Sequence, residues 1–476
     1  MALSASQVWE LRTTGSDANG GAFKAGGSGT DYSFQDAAQV AVTDAVANGT
    51  TTLTSATATF TAAHVGNVVY LAGGSGTLAA TRREIVTFTN STTVVLDAVV
   101  APSNGVTLNL GGALLTFGEL ASSTRGMVAS NKAFVKSGTY AVTAAVTFAQ
   151  NVAAPTNATP ASCIVGYKTV RGDITFGVNA ASRPLITTNA AGLNVLAFSQ
   201  PGWELRGLTI GAGTQTPSVG FNFSSNYCNI TNCAVTAYSA YGIYASGNGG
   251  VQLCEVSGGV SATNGIFAGT ATPVIGCYVH DGSSVGIYSA ANGMVAHNVV
   301  ANMSGAGNDG IGSNGSSQIL YNTVYNSGRH GISFGSIYSG SMLAKGNILA
   351  KNGGYGMTNL AGPGEAAKRE WDGNAYYNNT SGARNNLDDV GAVNPVNSVS
   401  PYVNTLDVLL ASPNDPFTNA AGGDFTLNNT AGRGALLRGT GVLNSWPNLT
   451  QVGYRDFGAI QHQDAGGTTI TTFIEG

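Results

Sequence analysis

The fold is decided by the stretch Met294-Val-Ala-His-Asn298 … Asn308-Asp309-Gly310-Ile311, Ile319-Leu-Tyr-Asn322 … Gly331-Ile332 and Met342-Leu-Ala-Lys-Gly-Asn347 … Gly356-Met357. Three times over, a short apolar run ends in Asn, and a Gly-apolar step follows. Upstream the same step recurs as Gly220-Phe221, Gly242-Ile243, Gly265-Ile266 and Gly286-Ile287, at intervals of 21 to 25 residues throughout. Each interval holds short alternating apolar runs broken by Gly, Asn or Ser, which reads as strand and turn, not helix. A unit of this size cannot bury its own apolar face and must stack on the next. Stacking places equivalent residues on adjacent coils about 4.8 Å apart. Cys233, Cys254 and Cys277, then Asn298, Asn322 and Asn347, fall at one phase of successive units. The cysteines read as small apolar core residues and free thiols, and the asparagines as a ladder bridging backbone amides.

Composition agrees. Of 476 residues, 20 are Lys or Arg and 24 Asp or Glu, so 9% are charged; 43% are hydrophobic and 67 are Gly. That is too apolar for a disordered chain and too glycine-rich for a helical one. A net charge of −4 with no basic run argues against nucleic acid. No apolar stretch is long enough to span a membrane, and no signal peptide is visible at Met1–Glu10.

The repeat resembles the coils of right-handed parallel β-helix proteins, the pectate-lyase-like superfamily. The resemblance implies an all-β, single-stranded right-handed parallel β-helix. The organisation expected is a first strand and capping helix over 1–48, with the helix at Asp31–Ala41. An inserted antiparallel β module follows over 49–126, the β-helix over 127–400 and a C-terminal capping region over 401–476. In the insertion, Phe60-Thr-Ala-Ala-His-Val-Gly66 and Thr93-Val-Val-Leu-Asp97 resemble a module of phage tail and spike proteins. Gly423-Asp-Phe-Thr-Leu427 and Tyr454-Arg-Asp-Phe-Gly-Ala-Ile-Gln461 resemble the closing segments of bacterial and phage β-helix proteins.

Enzymes on such a fold need carboxylates on one exposed face: lyases to hold calcium, hydrolases as acid and base. Between Gly202 and Leu360 the only acids are Glu204, Glu255, Asp281 and Asp309. Asn308-Asp309 followed one coil later by Gly328-Arg329-His330-Gly331 resembles part of the polygalacturonase motif. The motif's first Asp is replaced by Asn308, the preceding coil around Ser284-Val-Gly-Ile287 has no third Asp, and no Arg-x-Lys follows. Asp309, His330 and Arg329 are nonetheless the catalytic candidates. Tyr321, Tyr325, Tyr338 and Tyr355, among the tyrosines recurring along the coils, are candidates for stacking on sugar. Glu365, Lys368, Arg369, Glu370 and Trp371 are candidates for docking a partner from a loop leaving the stack. His280-Asp281 and His297 read as surface or turn residues. No metal and no other cofactor is expected.

The leading expectation is a bacteriophage virion protein, a spike, fibre-like or capsid-decorating component on the virion surface. Its partners would be other capsid or tail proteins and a host surface glycan, and its assembly a homotrimer. The alternative is a polysaccharide lyase or glycoside hydrolase, and a third reading is a bacterial surface adhesin.

Overall fold

The computed structural model describes residues 3, 6–150, 162–175, 179–335, 342–360, 369–371, 373–385, 407–439 and 456–460. The chain is a right-handed parallel β-solenoid, in two compact units, Met1–Ala234 and Val235–Gly476. Among the described residues no helix is long and apolar enough to cross a membrane.

In the first unit, Gln7–Leu11 pairs antiparallel with Ala22–Lys24 and parallel with Lys132–Lys136. The same sheet continues through Ser162–Tyr167, Trp203–Arg206 and Asn229–Thr231. A second sheet stacks Thr139–Val142, Leu185–Thr188 and Thr209–Ala212. A third stacks Val146–Phe148, Asn194–Phe198 and Val219–Phe223. Parallel register places like residues in line, so Phe148, Phe198 and Phe223 stack through the core at centroid spacings of 5.0 Å.

The insertion is antiparallel, as its period-two alternation requires, and it closes. Six strands form a barrel in the order Val40–Ala47, Thr52–Thr54, Thr93–Leu96, Leu78–Asn90, Val68–Gly73, Ser103–Leu110. Its core includes Leu53, Phe60, Leu71, Ile85, Val94, Val106 and Leu108. Closure removes the open sheet edges. The barrel begins at Val40, upstream of the expected start of the insertion. The capping helix expected over Asp31–Ala41 is not there: turns and bends occupy 31–38 and a strand starts at Val40. The cause is local. Asp31 Oδ1 accepts from the Ser33 backbone N–H at 2.9 Å, and Asn67 Oδ1 accepts from Tyr32 N–H at 2.9 Å. These bonds give the chain an alternative to the helical ladder. The one described α-helix is a single turn, Phe117–Leu120, capped by Thr116.

In the second unit each coil contributes one strand to each of three parallel sheets. The third sheet runs Tyr241–Ala245, Asn264–Ala268, Val285–Ser289, Ile311–Ser313, Ile332–Phe334, Tyr355–Asn359, Gly382–Asn385. The recurring Gly sits where this sheet presses against the core. A Cβ at Gly310 would come within 2.2 Å of Val324 Cγ1, and one at Gly286 within 2.4 Å of Val300 Cγ1. No residue with a side chain fits there without displacing the second sheet.

The asparagine ladder is present and buried. Asn298 N–H donates to Asn322 Oδ1 at 3.0 Å, Asn322 N–H to Asn347 Oδ1 at 2.9 Å, and Asn347 N–H to Asn374 Oδ1 at 3.1 Å. Asp407 takes the Asn374 N–H at 2.8 Å. All five cysteines are buried free thiols. The C-terminal hairpin, Phe417–Asn419 with Asp424–Leu427, packs on the outer side of the second sheet against Val299, Tyr325, Ala350 and Tyr377.

Candidate functional site

Two columns of side chains share the outer face of the third sheet in the second unit. Both follow from register. One column reads Tyr244, Phe267, Tyr288, Gly312, Ser333, Thr358 on successive coils. The other carries Tyr241, Asn264 and Val285, then Asp309, His330 and Tyr355. There Gly286 N–H donates to Asp309 C=O, Gly310 N–H to His330 C=O, and Gly331 N–H to Tyr355 C=O.

The first three coils form an aromatic ridge. Tyr244 and Phe267 stack at 4.9 Å and 12°, Phe267 and Tyr288 at 5.6 Å and 15°, and Tyr241 meets Tyr244 edge-on at 5.1 Å. All four rings are half-buried, so edges and hydroxyls face outward. The ridge stops at Gly312, where a Cβ would lie 3.2 Å from Tyr288 Cδ2.

Beyond Gly312 the face becomes polar and charged, and here the structure gathers Asp309, Arg329 and His330. Asp309 is 2% exposed. Its Oδ1 accepts from Arg329 Nε at 2.7 Å and from the His330 backbone N–H at 3.1 Å. Its Oδ2 accepts from Arg329 Nη2 and from the Ser333 hydroxyl. The carboxylate is thus fully engaged, and its work is to hold Arg329 in a bidentate grip. That bond raises the Arg329 pKa further, so the guanidinium is permanently cationic. Its side chain is 37% exposed, against 3% for Asp309.

His330 is held with equal definition. Its Nδ1 accepts the Tyr355 backbone N–H at 3.0 Å, which leaves the ring proton on Nε2. Burial lowers its pKa; Asp309 pulls upward and Arg329 downward, and the net shift is down. The imidazole is therefore neutral at pH 7. The site offers a fixed cation and a neutral N–H donor, the pair needed to hold an anion and take up charge developing on it.

The other expected residues lie elsewhere. Tyr355 stacks on His330 at 5.9 Å and belongs to the site. Tyr325 does not: the C-terminal hairpin roofs it, with Phe425 at 5.5 Å and Phe417 at 6.0 Å. Tyr321 is buried against His297 at 5.4 Å. Tyr338, Glu365 and Lys368 lie outside the described residues. Arg369–Glu370 is a short strand paired with Met342–Leu343, so the chain has rejoined the stack there. Trp371 lies 5.0 Å from Phe334. The ridge joins Phe267 to three of the tyrosines that recur along the coils, Tyr241, Tyr244 and Tyr288. The signal was the residue after each Gly-Ile step: Tyr244, Phe267, Tyr288. Among the described residues no group of three or more His, Cys, Asp or Glu is placed to hold a metal.

No family model and no curated protein matches the chain. Similar solved structures include pectate lyase Pel9A, at 11% identity and TM-score 0.43 over 74% of this chain and 92% of that one. The catalytic domain of a GH87 α-1,3-glucanase in complex with nigerose matches at 7% and 0.31, over 79% and 89%. The A-module of Azotobacter vinelandii mannuronan C-5 epimerase AlgE4 matches at 10% and 0.27, over 56% and 91%. At such identities the likeness is one of fold alone.

These neighbours correct the expectation of a bacteriophage virion protein: they carry the names of polysaccharide-acting enzymes, and no phage component is among them. The reasons for that expectation also weaken on physical grounds. A stacked rod is common to spikes and enzymes. The insertion is a barrel closed on its own core. Acids are scarce between Gly202 and Leu360, but Glu10, Asp31 and Glu119, all in ion pairs with arginine, lie outside that interval. What the strand pairing establishes is the right-handed parallel β-helix fold.

Proposed function

We propose that the chain is an enzyme acting on an acidic polysaccharide, of the lyase class, with its substrate laid along the outer face of the third sheet. The observation that carries this reading is the Asp309–Arg329 clamp beside neutral His330, on the same face as the aromatic ridge. In β-elimination the uronate C5 proton passes to solvent hydroxide, negative charge builds on the carboxylate, and the C4–O bond breaks with its electron pair leaving on the oxygen, which water protonates. A cation that cannot lose its proton, with an N–H donor beside it, is the matching electrostatic environment. Hydrolysis needs two carboxyl groups roughly 5–9.5 Å apart, one of them free to donate a proton. Asp309 has both oxygens occupied, and neither column of the face, from Tyr241 to Tyr355, supplies a second acid. From Tyr244 to Ser333 is four rungs, roughly 19 Å, a length suited to a short run of sugar rings whose apolar C–H faces pack on the ridge.

The test is to incubate the full chain with polygalacturonate and with alginate, following the ultraviolet absorbance of the unsaturated uronate made by β-elimination. The expected result is absorbance growth that Arg329→Ala abolishes and Arg329→Lys does not restore, since an ammonium cannot make the bidentate grip. New reducing ends without that absorbance would mean hydrolysis. Binding without either product would mean a glycan-binding protein.

A further inference from the structure

A second feature lies in the first unit, on the outer face of the first sheet. There a cavity of about 500 Å³ is lined by Asn131, Lys132, Phe134, Arg171, Glu204 and Arg206, among others. Register builds its floor. Lys132, Cys163 and Glu204 form one outward column, and Phe134, Val165 and Arg206 the next. Arg171 follows the strand Ser162–Tyr167 and reaches back over Phe134, its guanidinium 4.7 Å from the ring centroid. From behind, Glu10 Oε2 takes Arg171 Nε at 3.0 Å and Nη2 at 2.8 Å, and Asp31 takes Nη1 at 3.0 Å. Arg171 is therefore a fixed wall. Lys132 lies over the same ring at 5.4 Å. Glu204 accepts from Arg206 Nε at 2.6 Å. Three cations thus line the cavity, Arg171 balanced from behind by Glu10 and Asp31 and Arg206 paired with Glu204.

Asn131, at the edge of the cavity, is anchored from the core side. It is 1% exposed. Its Oδ1 accepts from Trp9 Nε1 at 2.9 Å and from Val128 N–H at 3.1 Å, so the amide orientation is fixed by two obligate donors. Its Nδ2 is then a buried donor with no partner in the protein. The thiol of Cys163 is no competing chemistry, since burial pushes it up to about 12.

We propose that this cavity binds a carboxylated sugar, one or two uronate residues in size. The volume lies within the ~300–1,000 Å³ usual for small-molecule sites. Lys132 and Arg206 meet the carboxylate, and Glu204 accepts from a hydroxyl. Glu204 also separates a hydroxylated acid from a bare anion such as phosphate, which it repels without gaining a hydrogen bond. The proposal does not depend on the third-sheet face being catalytic.

The experiment is calorimetric titration of the full chain with galacturonate and digalacturonate, with galactose and inorganic phosphate as comparison ligands. Saturable binding of the uronates and none of galactose is expected. Lys132→Glu should weaken that binding at least tenfold, about 1.4 kcal/mol. Arg206→Gln should weaken it as well, and Gln318→Ala, on an exposed position with no part in either site, should leave it unchanged. Lys132 is exposed on the outer face, so circular dichroism and Tm should match the parent. No saturable uronate binding, equal binding of galactose, phosphate binding as tight as galacturonate, or loss on Gln318→Ala with none on Lys132→Glu would each overturn the proposal. Loss of uronate binding at Lys132 with polysaccharide cleavage intact separates this site from the third-sheet face.

Discussion

Replacing Asn322 with alanine tests what holds the coils in register. Asn322 is fully buried. Its Oδ1 accepts from Asn298 N–H at 3.0 Å and Asn298 Nδ2 at 2.9 Å. Its Nδ2 donates to Val295 C=O at 2.8 Å and Asn347 Oδ1 at 3.0 Å. Alanine removes all four bonds. Asn298 Nδ2 keeps Val274 C=O, and Asn347 Oδ1 keeps the Asn322 N–H. Two backbone groups, Asn298 N–H and Val295 C=O, lose these side-chain partners in the interior. At about 1–3 kcal/mol each, the cost centres near 4 kcal/mol. A solenoid feels such a loss locally, because each coil contacts only its neighbours. Native-state hydrogen exchange of the full chain, read by mass spectrometry, is therefore the assay. Amides over 293–325 should exchange roughly 1,000-fold faster, which is 4 kcal/mol at 1.4 kcal/mol per decade. Gln318→Ala, on the exposed face of the same coil, should change exchange little. An Asn322→Ala protein exchanging like Gln318→Ala would refute the reasoning.

Three further outcomes follow from the same contacts. Asp309→Asn should cost only about 1–3 kcal/mol, less than the usual loss from a broken buried pair, because the half-exposed Arg329 can rehydrate. It should also drive the His330 midpoint lower still by removing the one upward influence, and an upward shift in the NMR titration would contradict the electrostatics. His280 bonds Asp281 at 2.8 Å and Glu255 at 3.4 Å; burial opposes its charge, but the two acids outweigh it and its pKa is raised. The stabilisation is complete below the unfolded value of about 6.5 and is lost as pH rises through the higher folded one. Tm should thus fall modestly on raising pH through that window, less so at high salt, and His280→Gln should flatten the profile. Gly312→Leu should fill the gap between Tyr288 and Ser333 and cut polysaccharide turnover at least tenfold with little change in Tm; full turnover would mean that the substrate does not cross Gly312.

The solenoid was legible because its causes are periodic. The Gly-apolar step marks contact with the second sheet, and the Asn column marks the ladder, each recurring once per coil. The barrel strands were legible from alternation, but their start at Val40 was not. The segment before it has a helical apolar stripe, and the bonds from Asp31 and Asn67 that override the stripe include one from 35 residues away. Asp309, Arg329 and His330 were brought together by phase alone. That Asp309 is spent on holding Arg329 depends on Ser333, whose outward direction requires the register. Tyr325 shares the second-sheet phase with Ala301 and Ala350. Nothing local reveals that a hairpin more than 90 residues later covers it. The cavity beside Lys132 joins strands from three coils to a single asparagine whose partner is Trp9, a pairing that only the fold discloses.

The central claim is that Arg329, gripped by Asp309 beside neutral His330, stabilises charge on a uronate carboxylate. The most direct measurement is the rate of unsaturated-uronate formation from polygalacturonate and alginate by the full chain, with Arg329→Ala in parallel. Formation by the parent on at least one polymer, lost in the variant while Tm changes by only a few degrees, is the predicted result. No unsaturated product from either, or equal product from parent and variant, would contradict it.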